Sequence, residues 1–112
     1  MVTIPNKNQY RKDEHEAVFK RDNYMCRICG DWVCNKRASA AHLVPRTKPN
    51  IRDYGFYVIN SRHNQWCTCL DDCNKKAQLP DNEETQAWLL VLGMIVKKAG
   101  YPIGEVLERK LQ

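Results

Sequence analysis

The sequence predicts a small α+β domain in which a short hairpin and a helix are stapled by zinc and flanked by further helices. Three observations predict it. Two cysteine pairs, Cys26-x-x-Cys29 and Cys69-x-x-x-Cys73, lie far apart along the chain. A run of small residues between them, 38–44, reads as a strand and stops at Pro45. The last third changes to apolar positions at helical spacing.

A chain of 112 residues is about one domain. We read 1–112 as a single unit, with its core at about 24–78 and a helical extension at about 81–112. A chain this short buries a modest core and often needs a staple. Hydrophobic residues make up 43% and charged residues 28%, which excludes a disordered polar chain. Eighteen Lys and Arg against 13 Asp and Glu leave a net +5, which permits a polyanion partner without demanding one. Residues 1–6 carry no apolar leader, so a cytoplasmic location is expected. The longest apolar run, 87–96, contains Gly93 and falls short of the roughly 20 residues of a membrane span. In a reducing compartment, clustered cysteines serve a metal better than disulfides.

The elements follow in order. Residues 1–10 are polar, contain Pro5 and read as a tail. Residues 12–22 read as a helix, with Ala17, Val18 and Phe19 on its buried side and Asp13 and Glu14 in its first turn. Residues 24–30 form a knuckle whose tight turn is Gly30. Residues 46–53 are polar, contain Pro49 and read as an exposed loop. Residues 55–59 are aromatic and β-branched and read as a strand. Residues 61–68 read as a turn region, and 71–78 as a short helix stopped by Pro80. Asp81 or Asn82 caps a helix that ends near Lys97 and Lys98, with Gly100 as its stop. A final amphipathic helix opens at Pro102 and Ile103 and runs to Leu111, with Val106, Leu107 and Leu111 as its apolar positions. Trp88, Leu89, Leu92 and Ile95 are spaced as intrachain core.

Cys26, Cys29, Cys69 and Cys73 can close a tetrahedron around one ion. A closed tetrahedron is structural, because catalytic zinc keeps an open position. Cys34 and Cys67 read as small buried hydrophobes, with Cys67 an alternative to Cys69 as ligand and Cys34 a further alternate.

His42 sits at the end of the small-residue strand, and an imidazole can accept a proton near neutral pH. It is a candidate general base, or else a satisfied structural histidine. Asn74 follows Cys73, where its amide oxygen could reach a hard divalent cation or simply cap a helix. Asn64 can bridge the connecting loop and hold the histidine-bearing strand, with Asn60 ranked second for that job. His63 reads as a surface residue. Arg46, Lys48, Arg62, Lys75 and Lys76, with Arg37 and Arg52 nearby, could neutralise phosphates. Tyr54, Phe56 and Tyr57 read as core more than as base-stacking platforms.

Taken together, Cys26-x-x-Cys29, Ala41-His42-Leu43-Val44-Pro45-Arg46, His63-Asn64 and Cys69-x-x-x-Cys73-Asn74-Lys75-Lys76 resemble the zinc-containing HNH endonucleases, and more closely their His-Asn-Asn variant. The resemblance covers about residues 24–78. It implies a ββα-metal fold and hydrolysis of double-stranded or branched DNA with a single divalent ion, Mg²⁺, Mn²⁺ or Ni²⁺. Proteins of this kind are often encoded by phages or mobile elements. Carried over by position, His42 would be the general base, Asn64 the loop-supporting residue and Asn74 the ligand of the catalytic ion. Cys26, Cys29, Cys69 and Cys73 would hold the structural zinc. Two departures stand out. Ala41 occupies a position where many members carry a metal-binding Asp or His, leaving Asp71, Asp72 and His63 as candidate replacements. The second cysteine pair also has one residue more than the common spacing. The alternative function is a non-catalytic zinc module that binds nucleic acid or a protein. A homodimer would suit double-strand cutting.

Overall fold

The computed structural model describes residues 6–33, 37–70 and 72–112. The tail residues 1–5, Cys34 as an alternate ligand and Asp71 as a replacement ligand lie outside the described residues.

Helix α1 spans Lys7–Arg21. It starts at Lys7, within the stretch expected to be a tail, because the Asn6 side chain accepts a hydrogen bond from the Gln9 backbone at 2.8 Å. Tyr10 then has a reason to be helical. Its ring is buried, stands edge-on to Tyr57 at 4.8 Å, and its hydroxyl donates to the Tyr57 carbonyl at 2.9 Å. The buried stripe is Tyr10, Glu14 and Val18, four residues apart.

Strand β1, Ala38–His42, pairs antiparallel with β2, Gln65–Cys69. Ala41 lies opposite Trp66 and His42 opposite Gln65. Of the expected turn at 61–68, only Arg62–Asn64 is a turn, of 3₁₀ form, and the rest is the second strand. The chain between the strands makes an excursion through two helices, which corrects two expectations. The loop expected at 46–53 is largely helix α2, Lys48–Tyr54. Thr47 caps it, and Pro49 sits in its first turn, where a missing N–H removes nothing. The strand expected at 55–59 is helix α3, Phe56–Ile59. A short apolar run has no periodicity to separate the two forms. Gly55, at φ 107°, turns the chain into α3 in a conformation that L side chains rarely adopt.

Helix α4, Asp72–Lys76, follows β2. Helix α5, Glu83–Lys98, is capped by Asn82, which accepts from the Thr85 backbone at 2.9 Å, and the chain leaves it through Gly100 at φ 97°. Helix α6 is Glu105–Lys110. No helix among the described residues is long and apolar enough to cross a membrane.

The largest core packs Tyr10, Tyr57, Val58 and Ile59 against Leu89, Leu92, Val96 and Leu107. It joins α1 and α3 to the C-terminal helices, so the extension is part of the packed body. Tyr54 and Phe56 pack against this core, as expected of aromatic core residues. Ile95, expected in the core, faces solvent with Val91 and Met94. The sheet carries a different cluster on each face. Ala38, Ala40 and Cys67 meet Val18 and Phe19 of α1. Ala41, Leu43 and Trp66 meet Ala77, just beyond α4, on the other. Alternation along β1 therefore sends the His42 side chain to the α1 side and Ser39 to the α4 side.

Gly104, at the start of α6, lies against the backbone at the end of α2. A Cβ on Gly104 would stand 2.5 Å from the Asp53 carbonyl carbon and oxygen and from the Gly55 nitrogen. Backbone atoms cannot swing aside, so Gly104→Ala is expected to destabilise by about 1–3 kcal/mol, read as a lower urea midpoint.

Candidate functional site

The thiols come together because two local turns aim them at one point. Asn23 and Tyr24 adopt left-handed conformations at φ 53° and 56°, and Gly30 does so at φ 83°. Between these bends, residues 26–29 wrap into a knuckle, and the Arg27 N–H donates to the Cys67 carbonyl at 2.9 Å, docking it on β2. The Sγ atoms of Cys26, Cys29, Cys69 and Cys73 all lie within 4.8 Å of one another. The Cys29 and Cys69 sulfurs are 3.7 Å apart. A zinc tetrahedron with bonds of about 2.3 Å has edges of roughly 3.8 Å, so this donor set fits zinc. Burial raises the Cys26 thiol, but N–H groups of Cys29, Cys69 and Ile28 outweigh it and bring the group down to about 6. Cys67 stands apart. It is fully buried beside Val18, and burial pushes its thiol up to about 11, so it is a core residue.

His42 is half-buried, and its Nε2 lies 3.2 Å from the Asn60 side-chain oxygen. The Asn60 amide nitrogen donates to the Phe56 carbonyl at 3.0 Å, which leaves its oxygen as acceptor. Nε2 therefore carries the proton, and Nδ1 keeps the lone pair. Burial lowers the imidazole to about 4, further depressed by Arg46, His15 and Arg11, although the Asn60 bond opposes this. The ring is neutral at pH 7.

Asn64 does a separate job. Its buried side chain accepts from the Val44 N–H at 3.0 Å and donates to the Val44 and Ile59 carbonyls at 3.1 and 2.7 Å. Its own carbonyl takes the Leu43 N–H at 2.8 Å. It ties the residues just after His42 to the end of α3. The two asparagines thus divide the work: Asn64 holds the loop and Asn60, ranked second from sequence, holds the imidazole.

His42 opens onto a cavity of about 560 Å³ lined by residues of α1, β1, the following loop and α4. Asn74 lines the same cavity, so the structure brings the expected histidine and asparagine to one space. The Asn74 amide nitrogen donates to the Ser39 hydroxyl. Arg46 and Lys75 also line it. Lys48 and Lys76 are exposed elsewhere on α2 and α4. Arg62 is engaged by Glu14, at 2.7 Å through its guanidinium and 3.0 Å through its backbone N–H, and does not reach the cavity. His63 lines a different cavity with Glu14 and Arg62. Asp72 is exposed at the start of α4 and is absent from the lining. Neither replaces the residue missing at Ala41, which is itself buried with Leu43 and Ala77.

Sequence reasoning missed Arg11 and His15, which α1 brings to the cavity. The His15 ring stands edge-on to His42 at 6.5 Å. Their spacing of four on the helix was visible, but their partner across the fold was not. The described lining holds no carboxylate. Its cations and imidazoles suit an anion.

Compared with family profiles, curated proteins and solved structures, the chain has no match in any of the three.

Two outcomes are expected. The purified chain holds about one zinc, and a chelator removes it with loss of folded circular dichroism. A structural zinc contributes on the order of 10 kcal/mol, as much as the whole stability of a small domain. Retained signal without metal would contradict this. Asn64→Ala leaves the Val44 N–H and the Val44 and Ile59 carbonyls without their side-chain partner, at about 1–3 kcal/mol for each that stays unpaired, and should lower the urea midpoint accordingly.

Proposed function

We propose that this chain is a DNA phosphodiester hydrolase, an endonuclease resembling the HNH enzymes, with a ββα-metal core at β1, β2 and α4. The supporting observation is a neutral imidazole of fixed tautomer, His42, opening onto a cavity lined with cations.

Nδ1 of His42 takes a proton from water while the water oxygen bonds to phosphorus. The bond to the leaving sugar oxygen breaks, that oxygen takes a proton from solvent, and His42 returns its proton to solvent. Arg46 and Lys75 offset the negative charge that gathers on the phosphate. Asn60 keeps Nδ1 directed at the water, and Asn64 keeps the loop after β1 from shifting. Zinc at the four cysteines takes no part in the chemistry, since its coordination is filled.

The divalent ion that the resemblance implies fits this cavity poorly. Hard cations seek oxygen ligands, usually with carboxylates among them. Here the described lining offers only neutral oxygens, the amides of Asn74 and Gln78 and the Ser39 hydroxyl, among three cationic side chains, and Ala41 offers nothing. The hydrolytic step is therefore assigned to the chain's own groups. The same shortage favours a second reading, a zinc module that binds nucleic acid without cutting it.

One assay separates the two. Plasmid incubated with the zinc-loaded chain should be nicked or linearised whether or not Mg²⁺, Mn²⁺ or Ni²⁺ is added. His42→Ala should cut at least about a hundredfold more slowly, as loss of a general base requires. Intact plasmid under every condition, with the DNA retained in a gel, would favour the binding module.

The pH dependence is a second check. The folded value of His42 lies below the ordinary 6.5, so the base stays unprotonated as pH falls until about 4. The kcat/KM of the free enzyme should persist at pH 5.5, where an ordinary histidine is roughly nine-tenths protonated. An acid midpoint near 6.5 would remove His42 from the role.

A further inference from the structure

Helix α1 holds two polar nitrogens with nothing to bond. Arg11 Nε and His15 Nε2 are both buried and lack a hydrogen-bond partner among the described residues. Buried polar groups in folded proteins are almost always satisfied, so each orphan calls for an explanation. Arg11 and His15 stand one helical turn apart and both line the His42 cavity. Arg46, from the loop after β1, and Lys75, from α4, line it too. None of Arg11, Arg46 or Lys75 forms an ion pair with a described acid, although Arg62, Arg21 and Arg52 each find one. Arg11 and Arg46 are close enough to depress the Arg11 guanidinium, after burial, below its ordinary value. Cations gathered without acids repel each other and gain only when an anion enters.

We propose that Arg11 and His15, with Arg46, form a subsite for a backbone phosphate of DNA beside the phosphate that His42 attacks. Arg11 supplies a planar fork of donors and Arg46 a second charge, the geometry that a phosphate's oxygens accept. The His15 and His42 rings lie close enough, 6.5 Å between centroids, for one nucleotide to span both. The subsite rests on the nucleic-acid reading of the cavity and assigns part of it to a helix that lies outside the resemblance.

Binding of a short DNA duplex to the zinc-loaded chain, followed by fluorescence anisotropy over a range of salt concentrations, tests it. Arg11→Gln should weaken binding by about tenfold or more, as loss of a charge-assisted bond does. It should also lower the slope of log affinity against log salt by about 1. Arg109→Gln, on exposed α6, removes the same charge and should leave affinity within about twofold. Equal losses in both variants, or an unchanged slope in Arg11→Gln, would overturn the subsite. Because Arg11 is unpaired beside Arg46, Arg11→Gln should melt at the same temperature as the parent or higher. A lower melting temperature would mark Arg11 as structural and count against the proposal.

Inorganic phosphate separates this subsite from the wider reading. His15 titrates below the ordinary value because of burial, then Arg11 and Arg46, with Glu14 opposing, and His42 also faces it. In nuclear magnetic resonance titrations of the whole chain, phosphate should raise the His15 midpoint, and Arg11→Gln should abolish that rise. If phosphate moves His15 while duplex DNA fails to bind, the anion site at Arg11 and His15 stands but its assignment to DNA falls with the DNA reading. If DNA binds and is cut but neither phosphate nor Arg11→Gln has an effect, the subsite falls alone.

Discussion

Four sulfur atoms within 4.8 Å of one another are the constraint on which the rest depends. Thiolates at that separation repel, and a shared cation would make their convergence favourable. Two of the four come from the knuckle after α1, one from the end of β2 and one from α4. The clamp therefore fixes the knuckle, the sheet and the short helix relative to each other. The apolar cluster beneath it, around Val18, Val33 and Cys67, is small. Without the metal this half of the molecule would have little to hold it.

The second half is held differently. Tyr10, Tyr57, Leu89, Leu92 and Leu107 form an ordinary apolar core. Asn64, at the entry to β2, ties the loop after β1 to the end of α3 through bonds to Val44 and Ile59. Buried amides of this kind contribute modestly when satisfied but are expensive to disrupt, so they fix geometry more than they add stability. His42 lies at this junction, with its strand set by pairing to β2 and its ring set by Asn60. The electrostatics around it are one-sided, with Arg11, Arg46 and Lys75 facing a cavity whose described lining holds no acid. That imbalance disfavours a free cation and adds to burial in lowering both embedded imidazoles, His15 and His42, below the ordinary value.

Much of the candidate site was legible because its parts are local. A Cys-x-x-Cys with a glycine after it, a strand of small residues ending at proline and an Asn before a helix each state their geometry within a few residues. The helices were readable where caps spoke for them, as at Asn82 and Gly100. Residues 46–59 misled because Pro49 serves as a helix starter as well as a breaker, and Phe56 to Ile59 is too short for a period.

By itself, the sequence determined which cysteines could share an ion, where His42 sits on its strand and which segments carry helix signals, since these follow from spacing and local chemistry. Tertiary structure alone decided that Asn60 grips the imidazole, that Arg62 is spent on Glu14 and that Arg11 and His15 face His42. Those pairings join residues far apart in the chain, and contact across a fold depends on how helices and strands pack, which no local pattern encodes.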